Sequence, residues 1–407
     1  MNRPNISNIH DCYGCGVCSK PCPVNIIDLR LNGNGFYEPF ITEPDKCIHC
    51  GLCRDVCAYI KDKPAQEAVP IASYAAWSKD RQIQRKCSSG GAGFEIAKYL
   101  LSKGYKTVGV RYNAEEGKAE HFIASTVEEL IQTIGSKYIQ SYPVDGWKGI
   151  DRKGKYLITG TPCQIDSFRN YMKRMHLPEE NFILLDFFCH GVPSMFAWQK
   201  YCKDAEKAVG KITYASWRNK WTGWHDSWAM GMDGENKGEK INWHDSYNVL
   251  IREKKTYIQS RWSQGDKFYK LFLGDCALGT QCFFKCKYKF DQSSADIRIG
   301  DLWGDTYKDN EDGVSAVIAF TAKGKDIIAK TNCYLKPHPF IVVAEGQVKS
   351  CPPYKKWYED ILVNLSDSFK NIDDTISILN RYRRKEKIRK LLHHPIKTIF
   401  QKIKGHN

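Results

Sequence analysis

The sequence predicts a small α+β module at the N-terminus, a larger mixed α/β domain after it, and a helical, basic C-terminal tail. Three observations predict this. A four-cysteine run occurs twice before residue 60, strand-like and helix-like stretches then alternate, and the last 27 residues carry most of the positive charge. The chain has 407 residues, 42% of them apolar and 26% charged, which suits two or three folded domains and excludes wholesale disorder or a fibrous repeat.

The first module is a duplication. Cys12, Cys15, Cys18 and Cys22 recur as Cys47, Cys50, Cys53 and Cys57, displaced by 35 residues, and these eight belong to a total of 17 cysteines. Between the halves, Ile27, Leu29 and Leu31 alternate with polar residues, Gly33-Asn34-Gly35 supplies a turn, and Phe36 to Ile41 returns, so a β-hairpin is expected. Three cysteines at three-residue steps wrap a loop around a metal-sulfide cube, a remote fourth completes its shell, and Gly14, Gly16 and Gly51 permit the tight backbone. In two-cluster ferredoxins the fourth cysteine of each run serves the other cluster. Cys12, Cys15, Cys18 and Cys57 are therefore assigned to one 4Fe-4S site, and Cys47, Cys50, Cys53 and Cys22 to the second. Structural zinc is the alternative, but it normally uses two separated cysteine pairs rather than a three-plus-one run. Pro23 follows Cys22 as in that pattern, whereas Ala58 follows Cys57.

Residues 1–64 are read as this two-cluster module, with linker character from 58 to 70 around Lys61, Lys63, Pro64 and Pro70. Beyond it, Ala72 to Trp77, Thr107 to Tyr112, Tyr156 to Thr159 and Phe182 to Phe188 are strand-like. Phe94 to Leu101, Ile165 to Met172 and Met195 to Tyr201 have helical periodicity, and Thr126 with Glu129 forms a capping box for a helix through Ile134. Residues 212–262, rich in Trp and Tyr, predict antiparallel strands and long loops, and helices are expected again after 353.

Two further cysteines, Cys163 and Cys189, each follow the carboxyl end of a buried-looking strand, where open α/β sheets bind ligands. Cys282 and Cys286 offer a second pair, and these four thiols are candidates for a third cluster, with small buried hydrophobes as the bland reading. Ser88, Ser89, Gly90 and Gly91 precede the helical stretch from Phe94 and present a phosphate-binding helix start. Lys137 is a candidate partner for phosphate or a reduced flavin, and Thr161 and Gln164 are candidate hydrogen-bond donors beside Cys163. His190 reads best as a satisfied loop histidine, and Asp301 and Trp303 as the end of a strand. Clusters move electrons singly whereas most organic reductions need a pair, so a converter such as flavin is expected on physical grounds.

Residues 87–352 resemble the beta subunit of the coenzyme F420 reducing hydrogenase and formate dehydrogenase family. The resemblance is carried by Ser88 to Gly91, Gly135 to Ser141, Gly160 to Gln164, Phe188 to Gly191, Trp217 to Lys220 with Gly223-Trp224, Cys282 with Cys286, and Asp296 to Gly304. It implies FAD, one 4Fe-4S cluster held by Cys163, Cys189, Cys282 and Cys286, and two more in the N-terminal module. Family members usually space the last pair as Cys-x-x-Cys. Here three residues intervene, and Cys276 is an alternative ligand. The expected layout is thus an α+β ferredoxin-like module (1–64), a mixed α/β flavin and iron-sulfur domain (65–352), and a helical, basic C-terminal extension (353–407).

The formal charge is +15, but residues 381–407 hold ten Lys/Arg against Glu386 alone, which is +9 and leaves +6 for the other 380 residues. Ile396, Ile399, Phe400 and Ile403 share one helical face there, a basic amphipathic pattern suited to a solvated helix, a membrane surface or a protein partner. No nucleic-acid recognition motif accompanies the charge, so nucleic acid is not expected as a partner. The absence of an N-terminal apolar core and the abundance of cysteine suit a cytoplasmic setting. The function expected is that of an iron-sulfur flavoenzyme exchanging electrons with a protein such as ferredoxin and a hydride with an organic partner. The alternative is an electron-relay subunit without a substrate of its own.

Overall fold

A computed structural model describes residues 3–235 and 258–393. The hairpin between the cysteine runs is β1 (Ile27–Leu31) paired antiparallel with β2 (Tyr37–Ile41), Ile27 facing Ile41. Short helical turns, Val17–Ser19 and Leu52–Asp55, carry the third cysteine of each run, Cys18 and Cys53. The module has its own small core of Ile6, Ile9, Ile26 and Ile27 among the cysteines. Val17 and Val56 instead pack outward into the larger domain, against Trp147, Ile165 and Phe168.

Twelve more strands follow: β3 (Ala72–Ser78), β4 (Lys106–Asn113), β5 (Lys118–Ala124), β6 (Ser141–Tyr142), β7 (Tyr156–Thr159), β8 (Phe182–Phe187), β9 (Ile212–Ser216), β10 (Ala229–Gly234), β11 (Ile258–Arg261), β12 (Ile297–Asp301), β13 (Ser315–Ala319) and β14 (Cys333–Pro337). Nine of the fourteen form one mixed sheet in the order β14-β3-β13-β12-β8-β7-β4-β5-β6. Its centre, β12-β8-β7-β4, is parallel, and β3, β13 and β14 extend one side in antiparallel fashion. Parallel strands covered on both faces read as continuous apolar runs, which explains Phe182-Ile-Leu-Leu185 in β8 and Tyr156-Leu-Ile158 in β7, all buried. Helices Ala92–Ser102 and Pro162–Arg174 cover this sheet, burying Phe94, Ile96 and Leu100 in one layer and Ile165, Phe168 and Tyr171 in another.

The Trp- and Tyr-rich region forms the antiparallel sheet β11-β10-β9. It packs on helices Met195–Val209 and Lys267–Phe272 through Trp198, Trp217 and Phe268. Helices Tyr358–Ser366 and Ile372–His393 bury Ile361, Ile372 and Leu379 in the same core, so the described part of the 353–407 extension packs as part of the larger domain. The expected amphipathic pattern at 396–403 lies outside the described residues. No helix among the described residues is long and apolar enough to cross a membrane.

Sequence and structure differ mainly at element ends. The helix capped by Thr126 and Glu129 stops at Ile131 rather than Ile134. Residues 58–70 lack regular structure, as a linker should, yet they are pinned: Ala65 N donates to Asp166 (2.6 Å), Gln66 N to Ser294 (3.1 Å) and Lys61 to Asn170 (2.6 Å).

Beneath the sheet's centre, Arg298 and Asp186 are fully buried and joined by two bonds of 2.7 Å, with Arg298 also donating to the carbonyls of Phe290 and Gln292. Removing one partner of such a pair strands the other charge in a medium that cannot solvate it. Asp186→Ala is expected to cost about 3–5 kcal/mol, measured by anaerobic denaturant unfolding; a loss below about 1 kcal/mol would mean that water reaches the pair.

Candidate functional site

The duplication is visible in backbone conformation. Gly14 (φ 61°) corresponds to His49 (φ 51°), and Gly16 (φ 66°) to Gly51 (φ 74°), so both cysteine loops turn by the same left-handed steps. A side chain at Gly14 would meet Gln140 and the Tyr37 carbonyl at 2.3 and 2.5 Å, whereas the second copy carries a histidine there. The eight cysteines share one neighbourhood: Cys12, Cys15 and Cys57 act on Cys18, and so does Cys53 of the second assigned set. Burial first, then the charges of Cys15 and Cys57, raise the Cys12 thiol; burial and Cys57 push Cys15 up to about 11. In the second set burial pushes Cys53 up to about 11, with Cys50 and Cys22 adding to it, and Cys22, Cys47, Cys50 and Cys53 line one small apolar recess. Gly14 N donates to Cys12 Sγ and Asn5 Nδ2 to Cys47 Sγ, both at 3.4 Å, the outer-shell donors that tune thiolate ligands. Among the described residues no group of three or more His, Cys, Asp or Glu side chains is placed to hold a single metal ion.

A third set gathers from three loops. Cys163 opens helix Pro162–Arg174 just after β7, Cys189 follows β8, and Cys282 and Cys286 lie on and after helix Thr280–Phe284. Burial pushes Cys282 up to about 12, with Cys189 and Cys286 contributing, and burial likewise raises Cys163 and Cys189. Val192 N donates to Cys282 Sγ at 3.4 Å, and Thr161 Oγ1 lies 3.2 Å from Cys163 Sγ. Lys289 Nζ donates to the carbonyls of Cys189 (2.8 Å) and His190 (2.9 Å), fixing that loop. The alternative ligand Cys276 lies elsewhere. It is buried among Phe272, Leu278 and Tyr358, its thiol directed at the Leu271 carbonyl, and its charged neighbours are Arg383, Asp275 and Lys355. Cys351, which sequence reasoning missed, lies with its Sγ 3.6 Å from the Cys286 carbonyl. His190 is paired with Asp275 at 2.9 Å.

Beside this set lies a cavity of about 550 Å³ over the carboxyl ends of β7, β8 and β12. Cys189 lines it, together with Ser88, Ser89, Gly91, Lys137, Thr161 and Gln164. Gly90 does not. It is pressed against the sheet, where a Cβ would lie 2.3 Å from the Ala76 carbonyl oxygen and 2.7 Å from Ser315 N, because the loop must pass there to carry Ser89 and Gly91 to the cavity. Gly91 (φ 87°) caps helix Ala92–Ser102 with no side chain on its first N-H groups. Gln164 is turned back, accepting from Thr161 N at 2.8 Å. Lys137 donates to the carbonyls of Gln132, Thr133 and Ile134 (3.0 to 3.2 Å), and burial lowers it to about 7, with Cys87 opposing.

Residues 73–146 match the N-terminal part, and residues 153–338 the C-terminal part, of the family described as coenzyme F420 hydrogenase/dehydrogenase, beta subunit. Residues 11–60 match a 4Fe-4S dicluster domain. The chain belongs to this beta subunit family and carries an iron-sulfur dicluster domain ahead of it. Among curated proteins it is similar to a coenzyme F420-dependent sulfite reductase of Methanocaldococcus jannaschii, 25% identical over 162 residues (39% of this chain, 24% of that protein). It is also similar to an uncharacterized protein of the same organism, 22% identical over 205 residues (40% and 54%). The chain thus spans about a quarter and about half of these relatives' lengths. A chain of the F420-reducing [NiFe] hydrogenase complex from Methanosarcina barkeri aligns with TM-score 0.46 and 17% identity, over 80% of this chain and 95% of that one.

The family's Trp-Arg-Asn-Lys stretch proves to be the frame of the cavity loop. Arg218 is buried, forks onto Asp301 (2.9 and 3.3 Å), donates to Tyr138 and the Ser88 carbonyl, and lies between Trp228 and Trp303. Lys220 binds the carbonyls of Gln84, Ser89 and Asp312. Asp301 and Trp303, read from sequence as a strand end, therefore line the site. Since Gly90 seats this loop on backbone that cannot yield cheaply, Gly90→Ala is expected to cost about 1–3 kcal/mol in anaerobic unfolding; a neutral outcome would show that the loop is free to lift.

Proposed function

We propose that the chain is an iron-sulfur flavoprotein oxidoreductase, passing single electrons between 4Fe-4S clusters and a flavin that exchanges a hydride with an organic partner. The observation that carries this reading is the position of Cys189, which belongs to the third cysteine set and also lines the 550 Å³ cavity. A cluster held by Cys163, Cys189, Cys282 and Cys286 would therefore lie against whatever the cavity binds.

The cavity suits FAD in volume and in chemistry. The uncapped start of helix Ala92–Ser102 offers backbone donors for a diphosphate, favoured by the helix dipole. Lys137, whose burial disfavours its charge, gains from an anion nearby. A bound flavin supplies the conversion between one-electron and hydride chemistry. The protein's part is to seat it through Ser88, Ser89, Gly91, Thr161 and Gln164 and to exclude water with Trp228, Phe272 and Trp303. Residues 1–64 then handle traffic with a one-electron carrier such as ferredoxin, and 65–352 handle the organic partner. Coenzyme F420, after which the matched family is named, is the first organic partner to test. Cysteines that must stay reduced to hold clusters suit a reducing compartment such as the cytoplasm.

Anaerobic purification is expected to yield about twelve irons and one flavin per chain, as three four-iron clusters require. Cys282→Ser is expected to lower iron by about four, whereas Cys276→Ser leaves it unchanged. About eight irons without flavin would favour the electron-relay reading, as would a lack of flavin bleaching by any organic reductant.

A further inference from the structure

The two halves of the cysteine duplication have equal spacing and equal backbone turns but unequal surroundings. Every residue from Cys12 to Ser19 is buried except Cys15, whereas of the equivalent residues 47–54 only Gly51 and Cys53 are buried. The contrast is sharpest at a pair of equivalent positions: Tyr13 is 7% exposed and Ile48 is 60% exposed.

Gln140, Pro143 and Trp147 cover part of the first half, and its Tyr13 side lies against the third cysteine set. Tyr13, Ala58 and Tyr288 form one apolar cluster against which Cys15, Cys163 and Cys286 all pack. Tyr13 and Tyr288 meet edge to face at 6.0 Å, and Tyr13 donates to the Lys285 carbonyl, next to Cys286. Tyr288 is held in turn by a 2.9 Å bond to Asp166. The same helix, Pro162–Arg174, carries Cys163 toward the third set and Ser167, one turn later on the same face, to 3.3 Å from Cys15 Sγ. Ser167 also accepts from Ala58 N, beside Cys57. In the second half Asp55 and Val56 also meet the larger domain, but the recess of Cys22, Cys47, Cys50 and Cys53 is lined by the module's own Asn5, Ile26, Ile27 and Ile41.

From this placement, and resting on the reading of Cys163, Cys189, Cys282 and Cys286 as a cluster site, we infer that the two N-terminal sites are an inner and an outer station in a linear series. The outer site (Cys22, Cys47, Cys50, Cys53) exchanges electrons with the external carrier. The inner site (Cys12, Cys15, Cys18, Cys57) alone abuts the third set, with Tyr13 and Tyr288 as positioning residues packed between them. Each transfer moves one electron: the donating cluster is oxidised by one, the next is reduced by one, and no bond forms or breaks.

The test is electron paramagnetic resonance of the full chain, purified anaerobically and reduced with dithionite. Fully reduced wild-type protein is expected to show spin coupling that splits or broadens the cluster signals. Cys50→Ser is expected to lose about four irons and retain coupling between the remaining two clusters. Cys18→Ala is expected to lose the same amount and leave two signals whose mutual coupling is largely gone. Strong coupling persisting in Cys18→Ala, or vanishing in Cys50→Ser, would overturn the order. Should either variant fail to fold, stepwise potentiometric reduction of wild-type protein with pulsed relaxation measurements reads the same pairs; dominant coupling between the exposed cluster and the third would overturn the order. About eight irons in wild-type protein sinks the third-cluster reading itself, whereas twelve irons with the wrong coupling pattern sinks only the series.

Discussion

Helix Pro162–Arg174 is the constraint on which the rest of the structure depends. It starts at the carboxyl end of β7, so the parallel sheet fixes its origin, and residues Gln164 to Met172 are all buried. Its side chains reach in several directions at once. Cys163 faces the third cysteine set, Ser167 meets Cys15, Asp166 accepts from Ala65 N, Ser294 and Tyr288, and Arg169 donates to Ser294 and pairs with Asp296. Near its end Arg174 donates to Asp55 at 2.8 Å, and the guanidinium groups of Arg3 and Arg174 hold that carboxyl down at about 2 against the opposing pull of burial. A helix buried over more than two turns cannot rotate without exposing apolar surface, so the sheet, the linker and the cysteine module are held in one register.

Burial raises Cys12, Cys18, Cys163 and Cys282 above their ordinary values, because their thiolates would lie where water does not reach. In the function proposed above, bound metal would supply the positive charge that solvent would otherwise provide. Backbone donors at 3.4 Å to Cys12 and Cys282 add a smaller share.

What was legible in the sequence is what the chain encodes locally. Three-residue cysteine steps, a Gly-Asn-Gly turn and continuous apolar runs each specify a short stretch of backbone, and β1, β2, β7 and β8 lie where those patterns put them. Spacing could not decide between Cys276 and its neighbours, because six residues of chain reach either the core under Tyr358 or the cluster of thiols. Tertiary packing turned Cys276 inward. Cys351 and Ser167 carried no signal, since their partners Cys286 and Cys15 are distant in sequence and only the folded sheet brings them together. Lys137 was legible as a residue of the site, but its three carbonyl partners were not.

The cavity wall shows a division of labour among cations that composition conceals. Lys220 and Arg218 are spent on the carbonyls of Ser89 and Ser88, and Lys289 on those of Cys189 and His190. Each ammonium or guanidinium binds the oxygen side of a loop. Bound carbonyls fix the curvature of that loop, and the N-H groups at the start of helix Ala92–Ser102 are left without a side-chain cap. Those backbone donors and the helix dipole give a partial positive charge that cannot be titrated away, while the charged side chains act as clamps. Asp301, forked on Arg218 and accepting from Trp224 at 3.1 Å, balances the charge that these clamps would otherwise leave in an apolar wall. A site built this way keeps its shape whether or not an anion is present, because its clamping bonds are made within the protein.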